Sequence, residues 1–310
     1  MLGVKSGSMP LGPSLLAVLV AAIWGLNFVV IHAGLDGMPP LLFVELRFVA
    51  VLFPAILFVP RPAARWRDLL VVGALLSLGQ FTLLYTALAL GMPPGLASLV
   101  VQAQIVFTVV FAVLALREVP TRTQALGVAI GVAALVLVGI GRNEDTPLAA
   151  FLVSLAAAAS WGAGNVMARR LGPAIRTGTP AWMAGLSITV WSALVVPVPA
   201  LALSLLVDGP AAVGAALTHL TLGQILSTLY TAWLASLVGY GIWNTLLGSY
   251  PAAAVAPFSL LVPPVGMLAA WFTLGETPTP AEVVGGALLL LGVAVASGAM
   301  RPRRTSVGPR

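Results

Sequence analysis

Apolar runs of about 20 residues follow one another along almost the whole chain, separated by short stretches where proline, glycine and charge collect. A helix needs about 20 apolar residues to cross a hydrocarbon core about 30 Å thick, so each run predicts one membrane span. Ten are expected, over 13–32, 39–60, 68–90, 94–116, 124–141, 147–168, 180–205, 222–246, 252–274 and 282–299. The first run is too long for the core of a cleaved leader and ends in HAGLDGMPP, a poor cleavage site, so it reads as a retained span.

The spans fall into two sets. LREVPTRTQALG at 116–127 recurs without a gap as LGETPTPAEVVG at 274–285, placing Leu116, Glu118, Pro120, Thr121 and Gly127 on Leu274, Glu276, Pro278, Thr279 and Gly285. The same register carries back to Leu88 on Leu246, Pro93 on Pro251 and Ala112 on Ala270. An E-x-P-T element between two long apolar runs in each half implies a duplicated unit. Its copies cover 13–141 and 147–299, with 1–12 and 300–310 as tails. Five helices is an odd number, so the second copy enters the membrane from the opposite side. The expected fold is an all-α integral membrane protein of ten transmembrane helices arranged as two inverted five-helix repeats. Inverted repeats are a habit of secondary transporters, whose substrate site lies between the halves near the midplane. A repeat kept only for packing would leave the same sequence trace.

Composition agrees with the pattern. The chain is 60% hydrophobic and 8% charged, with mean hydropathy +1.06, against about half and a quarter in soluble proteins. Its 32 Gly and 24 Pro are compatible with membrane helices whose neighbours satisfy freed backbone groups. The absence of Cys excludes disulfides, thiolate metal sites and cysteine nucleophiles.

Charge orients the spans. With the N-terminus inside, Lys5, then Arg61, Arg65 and Arg67, then Arg117 and Arg122, then Arg169, Arg170 and Arg176, then Arg301, Arg303, Arg304 and Arg310 all fall on the cytoplasmic side. Arg142 alone falls outside, and Arg47 lies within a helix. The net charge of +6 alternates between loops and forms no patch, so it implies attraction to anionic lipid and no nucleic-acid partner. Enzyme chemistry finds no footing: the two histidines, His32 and His219, form no HExxH, no G-x-S-x-G or Walker loop occurs, and every Asp lies in a loop or at a helix end. No metal and no cofactor is expected. The expected partners are the lipid bilayer and a small-molecule substrate.

Polar residues inside the spans mark the candidate site. Trp24, Gly25 and Asn27 in the first span correspond to Trp161, Gly162 and Asn165 in the sixth. Trp24 and Asn27 are three apart, Trp161 and Asn165 four apart, so each pair shares a helix face. Such pairs line a substrate cavity or serve as packing contacts. Thr82, Tyr85 and Thr86 make a second stripe, and Ser236, Tyr240, Trp243 and Asn244 a third. Gln102 and Gln104 are about 200° apart on a regular helix, so only one is expected in the cavity, the other making a packing hydrogen bond. Pro257, Pro263 and Pro264 interrupt the ninth span, either to line wet space or merely to bend it. Glu45 and Arg47 are the clear intramembrane acid and base, and each requires its own partner. The depth of Glu45 allows a gating contact with His32; otherwise Glu45 reaches the interface and His32 caps its helix.

The stretches WGLNFVVI at 24–31, GMPPGLASLVVQAQIVFT at 91–108 and VGYGIWNTLLGSYPAAAVAPFSLLVPPVG at 238–266 resemble the drug/metabolite transporter superfamily, EamA class. Within that class the likeness is to amino-acid exporters of the O-acetylserine/cysteine and aromatic amino-acid types, and it covers nearly all of 13–299. It implies a bacterial inner-membrane protein that moves amino acids or related metabolites outward. His32 stands where relatives often have Lys, and Ile105 where many have Pro, although Pro263 keeps the proline of the ninth span. Export of other small organic compounds, or a channel-like facilitator, would fit the same architecture. The Trp, Tyr, Asn and Gln residues suggest a neutral wall suited to a zwitterion.

Overall fold

A computed structural model describes residues 9–117, 119–171, 181–250 and 252–296. Among them the chain is helical, with no strand. Among the described residues nine helices are long and apolar enough to cross a membrane: α1 Leu11–Gly34, α2 Pro40–Phe58, α3 Trp66–Ala89, α4 Pro94–Leu116, α5 Arg122–Ile140, α6 Leu148–Arg169, α7 Leu186–Val207, α8 Leu222–Leu247 and α9 Ala256–Leu274. The last helix, α10 Pro280–Ala296, is apolar but shorter, and the end of its expected span lies outside the described residues. So do Glu118, Arg176, Pro251 and both outer tails, 1–8 and 297–310. One helix was not expected, the short and mostly exposed Gly209–Thr218 between α7 and α8.

The recurring E-x-P-T element is a helix-start device. Thr121 caps α5, its hydroxyl accepting from Gln124 N while Gln124 Oε1 accepts from Thr121 N. Thr279 and Glu282 repeat this reciprocal pair at α10, at 3.2 and 2.8 Å. Each preceding helix ends in a left-handed residue, Arg117 at φ 53° after α4 and Gly275 at φ 70° after α9, so the same turn is built in both halves. Irregular turns recur likewise. A π-helical stretch occupies Ala74–Gly79 in α3 and Tyr230–Val238 in α8; a 3-10 stretch occupies Val101–Ala103 in α4 and Ala256–Leu261 at the start of α9.

Several helix pairings recur when the first five helices are exchanged with the last five. The strongest seam joins α5 to α10; α1 packs on α9 as α6 packs on α4, and α3 packs on α6 as α8 packs on α1. Glycine makes the first seam possible. A Cβ on Gly127 would stand 2.5 Å from Ala296 N, and one on Gly292 2.8 Å from Gly127 O, so the backbones meet with no side chain between them. The element W-G-x-(x)-N uses the same device. Gly25 of α1 faces Val265 and the Val262 carbonyl of α9, while Gly162 of α6 faces Phe107 and Thr108 N of α4. Large apolar side chains such as Leu114, Ile140, Val198, Leu206 and Phe272 cover the outside of the bundle, as a lipid-facing surface requires.

Candidate substrate cavity

A cavity of about 730 Å³ lies between the halves, bounded by α1, α3, α4, α6, α8 and α9 and touched by α2, α5 and α10. That is the size of a small-molecule site. Of the sequence-predicted residues, Trp24, Asn27, Arg47, Gln102, Gln104, Trp161, Asn165, Tyr240, Trp243 and Asn244 line it. Close packing at Gly25 and Gly162 sets α1 against α9 and α6 against α4, and Trp24, Asn27, Trp161 and Asn165 of the same helices face the open space.

On one side the Trp24 indole N–H donates to the Ala235 carbonyl at 2.9 Å, and its ring lies 5.2 Å from Tyr240 and 5.3 Å from Trp243, centroid to centroid. The three rings form a tilted aromatic wall. On the other side Asn165 Nδ2 donates to Gln104 Oε1 at 2.8 Å and to Thr108 Oγ1 at 3.2 Å. Gln102 Nε2 donates to the Ser259 carbonyl at 3.3 Å, in the 3-10 stretch of α9.

Both glutamines therefore line the cavity, contrary to the expectation that one would turn away. The cause is the 3-10 turn between them. On a regular helix the two positions are about 160° apart by the shorter way, whereas at three residues per turn they are about 120° apart. Gln102 still makes the expected packing hydrogen bond, but from the wall.

Four expected wall residues, Thr82, Tyr85, Thr86 and Ser236, lie outside the lining. Thr82 donates its hydroxyl back to Leu78 O at 2.7 Å and Gly79 O at 3.2 Å, just past the π stretch, and is not in the lining. Tyr85 is fully buried behind the wall, where its hydroxyl accepts from Arg47 Nη1 at 3.1 Å. A regular helical stripe places Thr82 and Tyr85 on one face; at Tyr85 packing against α2 covers it, with the Phe43 ring edge-on at 5.0 Å.

The wall is also not neutral. Arg47 and Arg169 line it, and no Asp or Glu does so among the described residues. Glu45, on another face of α2, is half-buried, and His32 is exposed at the end of α1. The one ion pair among the described residues is Arg65–Asp68, so the Glu45–His32 contact is not formed. Gln80, Ser259 and Gln124 were missed as lining residues. Gln80, a mid-span glutamine, carried a readable signal; Ser259 and Gln124 did not.

The two ends of the bundle differ. The cavity extends to Gln124, Leu247, Ala256, Arg169 and Ala296, all at one end. At the other end polar bonds tie the helices together: Gly95 N donates to Glu276 Oε2 at 3.0 Å, Gln224 Nε2 to the Asp36 carbonyl at 2.7 Å, and Thr279 Oγ1 to the Gly141 carbonyl at 2.8 Å. A pocket of about 90 Å³ remains there, between Glu276 and Glu282. Burial raises the Glu276 carboxyl above its ordinary pKa; the Gly95 N–H opposes this rise and nearby Glu282 adds to it.

A cavity between two halves of repeated geometry is what a carrier requires, and the family comparison decides the class. The EamA-like transporter family matches twice, over residues 12–140 and 148–298. The chain belongs to this family. As a family member with nine helices among the described residues long and apolar enough to cross a bilayer, it is a multi-pass membrane protein. It is 43% identical over 94% of its length, and 96% of the relative's, to a Salmonella typhimurium protein named a probable amino-acid metabolite efflux pump. An Escherichia coli protein of the same name is 42% identical over 90% of this chain and 92% of its own. A probable terminal-alkyne amino-acid exporter of Streptantibioticus cattleyicolor is 28% identical over 89% of this chain and 90% of its own. A crystal structure 18% identical, covering 92% of this chain and 96% of its own, superposes with a TM-score of 0.58, which bears on the fold alone.

Proposed function

We propose that this EamA-family transporter exports amino acids and related small metabolites across a bacterial inner membrane by alternating access. The observation that carries the reading is the cavity of about 730 Å³ held between the halves, with a Trp–Asn pair from the first helix of each half in its wall. The names of the relatives supply the substrate class. In this reading α10 is the tenth span, 13–141 and 147–299 are the two units, and the units are inverted with respect to the membrane. Both termini are then cytoplasmic, and the Arg169 end of the cavity faces the cytoplasm under the positive-inside rule. Glu276 and its bonds close the periplasmic end.

The test is counterflow in proteoliposomes loaded with each of the twenty amino acids or with O-acetylserine. Saturable uptake of labelled substrate, stimulated by the same substrate on the trans side, is expected for some of them. Flux that neither saturates nor responds to trans substrate would indicate a channel, and no flux for any of them would remove the amino-acid reading.

A further inference from the structure

Arg47 is the largest unbalanced feature of the cavity. It is 2% exposed, and a guanidinium keeps its charge in proteins. Its Nη1 donates to Tyr85 Oη at 3.1 Å and its Nη2 to Ser236 Oγ at 3.0 Å, both neutral hydroxyls. The Phe81 ring centroid lies 3.9 Å from Cζ. Nε has no partner, and no carboxylate lines the cavity among the described residues. Hydroxyls and a ring face soften the cost of a buried cation, but only an anion balances its charge. Tyr85 belongs to the first half and Ser236 to the second, so the guanidinium is fixed from both sides and needs little reorganisation to receive a planar anion.

The wall carries the complementary need as well. Asn27 is 7% exposed, and its Oδ1 has no hydrogen-bond partner. Trp24, Tyr240 and Trp243 present aromatic faces in the same wall. An acceptor and electron-rich faces suit a cation as the guanidinium suits a carboxylate. One ligand satisfies both: a small molecule with a carboxylate and an ammonium group.

Resting on the export reading above, we propose that Arg47 is the residue that recognises the substrate's carboxylate, while Asn27 and the Trp24–Tyr240–Trp243 wall take its ammonium. Substrates are then selected by the α-amino-acid group, with the side chain left to the remaining volume. A neutral derivative of the carboxylate is rejected because it leaves the buried cation unbalanced.

The experiment measures binding to the purified transporter in nanodiscs and counterflow in proteoliposomes. The probes are L-leucine, L-threonine and O-acetyl-L-serine, each beside its carboxamide and its des-amino acid. The parent is expected to prefer each amino acid over its carboxamide by at least about tenfold. Arg47→Gln is expected to bring that ratio close to one, and Arg47→Lys to keep part of it. Asn27→Leu is expected to shrink the preference over the des-amino acid and leave the carboxamide ratio in place. Equal binding of acid and carboxamide by the parent, or an unchanged ratio in Arg47→Gln, overturns the assignment while amino-acid export stands. Arg47-dependent flux of des-amino acids without flux of amino acids removes the export reading and keeps Arg47 as the carboxylate residue. Binding of neither class overturns both. If Arg47→Gln does not give a monodisperse protein, the parent's acid-to-carboxamide ratio and the Arg47→Lys variant decide.

Discussion

At the Glu276 end of the bundle, side chains reach across from one half to the other: Glu276 to Gly95, Gln224 to Asp36, Thr279 to Gly141. At the Arg169 end Thr121, at the corresponding start of α5, bonds to Thr123 and Gln124 of its own turn. The sequence element at the two places is the same, yet Thr279 of one copy also bonds across to the end of α5, while Thr121 of the other bonds within its own turn. Repeated sequence therefore supplies the same cap twice, with an added bond across the seam at the Thr279 copy. The α5–α10 seam does not share the difference, since its glycines keep the two helices in contact along their length. It is the most extensive helix–helix seam among the described residues.

The largest effect is expected where that seam is broken. Gly127→Leu or Gly292→Leu places a side chain where backbone atoms of the partner helix stand within about 3 Å, and no rotamer avoids them. Detergent-solubilised protein should then elute as aggregate on size-exclusion chromatography. A monodisperse variant with the parent's melting temperature would mean that α5 and α10 can part.

Transport should be the next most sensitive. Trp161→Ala alters the wall without removing any hydrogen bond found for that side chain, so efflux is expected to fall about tenfold or more while membrane abundance stays near normal. Parent-like efflux would place the substrate elsewhere.

The closed end is expected to respond to pH, with a sign fixed by Glu276. Its carboxyl is raised above its ordinary value near 4.5 chiefly by burial, so the closed arrangement holds the proton more tightly than an open, hydrated one. Closure gains stability at acid pH and loses it as pH rises through the raised pKa. Glu282 is the other titratable group in the pocket. A cysteine placed at Leu96, which lines the same pocket, should label faster as pH rises, relative to a control cysteine at exposed Glu144. Glu276→Gln should flatten the dependence, and equal profiles in both proteins would remove Glu276 from the closure.

Much of the fold was legible because lipid leaves the chain few choices. Every apolar run had to become a helix, and the E-x-P-T repeat was visible because a cap needs particular residues at fixed spacing. The short helix Gly209–Thr218 escaped because its ten residues are too few for a span and it opens with Gly209–Pro210, a pair that reads as a turn. The cavity was legible where a residue type was costly in lipid, as with Asn27, Asn165 and the tryptophans. The angle of a regular helix is a poor guide where the helix is irregular or packed over. The 3-10 turn at Val101–Ala103 brought both Gln102 and Gln104 into the wall, and helix packing hid Tyr85. Arg47 was recognisable as a site residue, but its partners lie on two distant helices, and spacing along one helix carries no information about them.

The smallest expected effect separates the two copies of the cap. Thr121 and Thr279 both hold the first turn of a helix, and losing such a cap costs about 1 kcal/mol. Thr121 is exposed, and its partners are all within three residues of it. Thr279 also donates to the Gly141 carbonyl at the end of α5, so its hydroxyl is used twice, once within α10 and once across the seam. The second bond should add about half a kcal/mol, the order found for interhelical hydrogen bonds in membranes. Thr279→Ala is therefore expected to lower thermal stability more than Thr121→Ala, and only Thr279→Ala should also raise labelling of a cysteine at Leu96. Thr279→Ser should restore both properties, since it keeps the hydroxyl. Equal melting temperatures and unchanged labelling in the two alanine variants would mean that the bond to Gly141 contributes nothing to closure, leaving Glu276 and Gln224 to hold that end.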